Sequence, residues 1–86
     1  MPKHRYVVRS VVHSVLVLSA FDSDGEALTL STIAARSRLG SSTAFRLLYT
    51  LEHCGFVEKV AKNLYRRRSI SVGTRIPTHE LKELAG

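Results

Sequence analysis

The chain has 86 residues, a net charge of +6 and a pI of about 10.1. Apolar residues make up 44% and charged residues 23%, so it suits one small globular domain with a modest core. The charge points to an anionic partner, nucleic acid before an acidic membrane surface, and the lone cysteine excludes an internal disulfide and fits a reducing cytoplasm.

Residues 1–9 read as a basic N-terminal arm, of which 1–7 are expected to be partly disordered. The run "SVVHSVLVLSAF", Ser10 to Phe21, is valine-rich, yet its length without turn signals predicts a helix rather than a strand. It is too short and too polar to span a bilayer, and "FDSDGE" after it lacks the small-residue site of a signal peptide. Val11, Val15 and Leu18 share one face of that helix, with Val12 and Leu16 beside them. An apolar arc this wide exceeds one core contact, so Val12 and Leu16 are the candidates for contact with a second copy.

"DSDGEA" is a turn with Gly25 as its positive-φ residue. "LTLSTIAARSRL" then predicts a second helix with Thr29 as N-cap and Leu30, Ile33 and Ala34 facing inward. Gly40 is placed to cap a third helix over 41–53, whose first turn holds Ser41, Ser42 and Thr43. Ala44, Leu47, Leu48 and Leu51 repeat at i, i+3, i+4 and i+7 and are assigned to the core. The opposite face therefore carries Ser42, Arg46, Tyr49 and His53, with Phe45 on its flank. Gly55 fits the end of this helix. "FVEKV", "AKNL" and "YRRRSI" predict a hairpin over 57–68, with Asn63 in the turn. Lys59, Lys62, Arg66, Arg67 and Arg68 make residues 59–68 an acid-free basic run. Beyond it, residues 69–86 read as a linker and a short closing helix capped by Thr78.

Three helices followed by a basic hairpin is the order of a winged helix-turn-helix, so the predicted fold is mainly α with a small β-hairpin over residues 10–68. Short hydroxyls at the tip of the third helix would allow close approach to a DNA major groove, and its N-terminus favours phosphate. The candidate DNA-binding residues are Thr29, Ser41, Ser42, Thr43, Phe45, Arg46, Tyr49, Lys62, Asn63, Arg66, Arg67 and Arg68. Enzyme chemistry has little support. His4, His13, His53 and His79 lie far apart, and Cys54 reads as a small buried residue. Asp22, Asp24 and Glu26 supply only a fragment of a calcium loop. No metal or cofactor is expected.

These motifs resemble the N-terminal DNA-binding domain of IclR-type transcriptional regulators. The family's first helix, S-V-x-x-A-L-x-V-L-x-A-F, is matched by Ser10, Val11, Val17, Leu18, Ala20 and Phe21, with Ser14 and Val15 standing for Ala and Leu. Its L-T-L-x-E-I-A is matched by Leu28, Thr29, Leu30, Ile33 and Ala34, and its S-T-x-x-R-L-L-x-x-L by Ser42, Thr43, Arg46, Leu47, Leu48 and Leu51. Its G-[FY]-V-E and Y-R are matched by Gly55, Phe56, Val57, Glu58, Tyr65 and Arg66. The resemblance implies a homodimer on a palindromic double-stranded operator, with the third helix in the major groove and the wing on the backbone or minor groove. It also implies an effector domain that this chain does not contain, so a small-molecule effector is not expected to bind here. Two positions depart from the pattern. Arg38 stands where the family usually has Gly in the bend, and a positive φ there would cost about 1 kcal/mol. Arg67 and Arg68 replace the usual L-G after Tyr65-Arg66, which makes the wing more basic. The competing reading is a winged-helix protein-interaction module, which the basic wing disfavours.

Overall fold

In the computed structural model, residues 5–23, 25–68 and 78–85 are described. The elements are α1 (Arg9–Ser19), β1 (Ala27–Leu28), α2 (Leu30–Ser37), α3 (Ser41–Cys54), β2 (Val57–Ala61), β3 (Leu64–Arg67) and α4 (Thr78–Ala85). This is the expected winged helix-turn-helix, with one addition. The hairpin is not a lone ribbon: β1 joins it, giving an antiparallel sheet in the order β1-β3-β2. Ala27 pairs with Arg66 and Leu28 with Tyr65. Two residues are too short to show an alternating pattern, so nothing local marks them as a strand. The hairpin's own register carries a bulge between Lys59 and Ala61, which adds twist to the wing.

The core joins every element from α1 to β3. Val17, Phe21, Ile33, Leu48 and Val57 are its largest fully buried side chains, with Leu28, Leu51 and Tyr65 around them. Leu47 and Leu30, expected inside, are half-buried at its edge, and so is Cys54. The inward face of α1 differs from the expected one. Val17 is buried and Leu18 half-buried, while Val11 and Val15 are 59% and 55% exposed. Most of the apolar arc of α1 is left outward while Ser10 and His13 line the groove against α3, so periodicity alone misplaces the inner face. The choice is made at its end, where Ala20 and Phe21 leave the helix and turn into the core.

The acids after α1 form a clasp. Arg36 donates to the Ala20 carbonyl at 2.9 Å and reaches Glu26 at 3.3 Å and Asp22 at 3.5 Å. Glu26 also accepts from the Asp22 amide at 2.8 Å. Asp22 and Glu26 thus tie the turn to α2, which explains their spacing without a cation; Asp24 lies outside the described residues.

Both ends of the helix-turn-helix close by the same device. Arg38 has φ 60° and ψ 33°; its amide bonds Ala35 O at 3.3 Å, and the Leu39 amide bonds Ala34 O at 3.1 Å. At the end of α3, Gly55 has φ 88°, with Gly55 N on Glu52 O and Phe56 N on Leu51 O. This paired pattern needs a left-handed residue, which costs glycine nothing and arginine about 1 kcal/mol. Arg38→Gly is therefore expected to stabilise the domain by up to about 1 kcal/mol, less what glycine's looser unfolded chain takes back. Arg38→Ala removes the same charge and keeps the strain. Thermal melts of both variants check this; an equal gain in each would assign the effect to charge rather than to φ.

Candidate nucleic-acid interface

Gly40 enters α3 in an extended conformation with no side-chain cap. Ser41, Ser42 and Thr43 follow, all exposed, in the turn whose backbone amides point forward unpaired. Ala44, Leu48 and Leu51 anchor the rear of the helix in the core. The anchoring fixes what faces outward: Ser42, Phe45, Arg46 and Tyr49 are exposed, and His53 is half-buried. Phe45 and Tyr49 are 47% and 54% exposed, with ring centroids 6.4 Å apart. Tyr49 and His53 follow at 4.6 Å, so three rings step along one face. His53 Nδ1 lies 2.9 Å from Tyr49 O, and Thr50 Oγ donates to Arg46 O at 3.0 Å. Among the described residues Arg46 has no acceptor or ion-pair partner.

A groove of about 250 Å³ runs between α1 and α3, lined by Ser10, His13, Thr43, Arg46, Leu47 and Thr50. Nothing in the residue pattern places Ser10 and His13 beside Arg46. That juxtaposition depends on how α1 crosses α3, which is a tertiary property.

The wing residues divide into distinct groups. Lys62 and Asn63 make the two-residue turn between β2 and β3, and Asn63 takes the positive φ of 61°. Lys62 is exposed at the tip. The Asn63 side-chain oxygen, however, accepts from the Leu30 amide at 3.3 Å, so it secures the turn against the start of α2. Thr29 is likewise engaged: its hydroxyl caps α2 by accepting from Thr32 N at 3.3 Å and donates to Thr32 Oγ at 3.0 Å. The two hydroxyls thus bond each other, while the reciprocal bond from an N3 carboxylate to the cap's backbone amide, the other half of a capping box, has no counterpart in these contacts.

Strand parity sorts the arginines. Tyr65 is buried, so Arg67, two residues on, lies on the same inner face. Its guanidinium donates to the Leu18 carbonyl at 3.3 Å, joining the wing to α1. Arg66 points the other way and pairs with Glu58 across the strands, its Nε donating at 2.9 Å and its Nη2 to the same oxygen. That hydrogen bond lowers the Glu58 carboxyl below its ordinary value; desolvation opposes it, and the charges of Arg66 and then Arg68 add to the lowering. Lys59 sits over the Tyr65 ring at 5.9 Å. Arg68 is exposed, and its amide closes the sheet on Phe56 O at 2.9 Å. Of the basic run, Lys59, Lys62 and Arg68 are exposed, with Lys59 lying over the Tyr65 ring, whereas Arg67 is committed to the inner face.

The described residues hold no group of three or more His, Cys, Asp or Glu placed to share a metal, and no helix among them is long and apolar enough to cross a membrane. Residues 10–61, more than half of the chain, match the family model described as the IclR helix-turn-helix domain. No curated protein matches the chain.

Proposed function

The chain belongs to the IclR helix-turn-helix family, a DNA-binding module of transcription regulators, and from that premise we propose that it reads a specific duplex sequence as a homodimer in the cytoplasm. The observation that carries the reading is the outer face of α3. Among the described residues, Ser41, Ser42, Thr43 and Arg46 have no acidic partner, and they stand on a helix whose rear is locked into the core. Such a helix enters a major groove tip first, with short side chains at the closest approach and Arg46 one turn behind them. Lys62 and Arg68 supply backbone or minor-groove contacts from the wing. Arg66 contributes less than its charge suggests, because Glu58 sits against it. The second copy is recruited through α1, where Val12 and Leu16 are exposed beside Val8, Val11 and Val15.

The domain is 10–68, with 1–9 as a basic arm and 69–86 leading to a closing helix. Residues 69–77 fall outside the described residues; α4 lies against α3. A two-fold protein implies a palindromic operator.

Selection from random duplex DNA followed by footprinting tests the reading. A palindrome is the expected result; a chain that retains no duplex returns the winged-helix assembly module to first place. Salt titration on the selected site adds a second check. Each neutralised phosphate adds about −0.9 to the slope of log affinity against log salt. Lys62→Ala and Arg68→Ala are each expected to remove about one such increment, and a slope near zero in the parent chain would contradict electrostatic binding.

A further inference from the structure

The outer face of α3 carries more apolar surface than a purely polar reading of bases needs. Phe45 is 47% exposed and has no polar atom with which to bond a base edge or a phosphate. Tyr49 is 54% exposed beside it, and a shallow apolar depression of about 330 Å³ is lined by Phe45, Arg46, Tyr49 and Thr50. Leaving a phenyl ring in water beside DNA gains nothing; burying it against an apolar group gains the hydrophobic transfer energy. On the major-groove floor the apolar group is the thymine C5 methyl. Arg46, in the same depression, has no acceptor among the described residues and suits the O6 and N7 of guanine. A second copy is a poorer occupant, because the apolar face offered for it lies on α1.

We propose that the depression between Phe45 and Tyr49 is a thymine-methyl pocket, so that α3 reads a thymine next to the guanine held by Arg46. This rests on the DNA-binding reading above. Phe45 is the specificity-determining residue, and its contribution is one that hydrogen-bond matching cannot supply. Deoxyuridine in place of thymidine deletes the methyl alone, leaving charge, pairing and hydrogen-bonding groups intact.

The test uses the whole chain and the duplex it selects. Each thymine is replaced in turn by deoxyuridine, and affinity is measured for the parent chain and for Phe45→Ala. One thymine per half-site, adjacent to a guanine, should lose about three- to tenfold on replacement, the worth of one buried methyl. Phe45→Ala should bind the thymine duplex more weakly and no longer distinguish it from the deoxyuridine duplex. An unchanged melting curve for Phe45→Ala assigns the loss to contact rather than folding. A selected duplex that tolerates every deoxyuridine within twofold overturns the pocket and leaves DNA binding standing. So does a thymine preference that survives in Phe45→Ala. A chain that selects no duplex overturns both readings together.

Discussion

Replacing Arg46 with alanine should cost about 1–3 kcal/mol of binding on the preferred operator, roughly 5- to 150-fold, and should flatten preference at one or two base positions. The motivation is its place on α3: one turn behind Ser42, one before Tyr49, exposed and without an acidic partner among the described residues. Its loss should leave the fold intact, since the helix is held by Ala44, Leu48 and Leu51 on the opposite side. Affinity is measured on the operator and on random duplex. Equal losses on both would make Arg46 a phosphate clamp, and sequence reading would then pass to Ser42, Phe45 and Tyr49.

Arg67 supplies the contrast. By composition it is one more cation in a basic wing, and its removal would weaken all DNA alike. Its bond to Leu18 O makes it a tie between wing and α1, so Arg67→Ala is expected to lower stability by about 1 kcal/mol. Its effect on the salt slope should be smaller than that of Lys62→Ala or Arg68→Ala. The pair of measurements separates a cation that touches DNA from one that positions the element that does.

The helix-turn-helix was legible because its signals are local. Thr29 as cap, Gly40 at the entry of α3, Gly55 at its exit and Asn63 in the hairpin turn all follow from backbone chemistry within a few residues, whereas the left-handed Arg38 is marked only by the glycine that the family usually has there. The outer face of α3 was legible because Ala44, Leu48 and Leu51 leave only one inward side. What escaped was decided at longer range. The inner face of α1 depends on where Ala20 and Phe21 turn, and β1 exists only because β3 passes beside Ala27 and Leu28. The roles of the wing arginines stand between these cases. Strand alternation from the aromatic Tyr65 already puts Arg67 inward and Arg66 opposite Glu58, but a run of like charges hides an alternation that differing residue types would expose.

The surface of α1 carries the largest expected effect. Val8, Val11, Val12, Val15 and Leu16 are all between 40% and 59% exposed and follow one another along the helix. A contiguous apolar strip of this kind marks an interaction surface, and a two-fold pairing of identical helices covers it with itself. Joining two reading helices makes the second half-site contact intramolecular, which is worth roughly 10²–10⁴-fold in apparent affinity. Leu16→Asp or Val12→Asp, which places a charge in the strip, should forfeit most of that factor on a palindrome and almost none on an isolated half-site. The melting temperature of the dilute protein should move little, because both side chains are already about two-fifths exposed in the single chain. Binding to full and half sites, with sedimentation of the free protein, measures each quantity separately. Unfolding by either substitution would make the strip part of the core; equal losses on full and half sites would falsify α1 as the seam between copies.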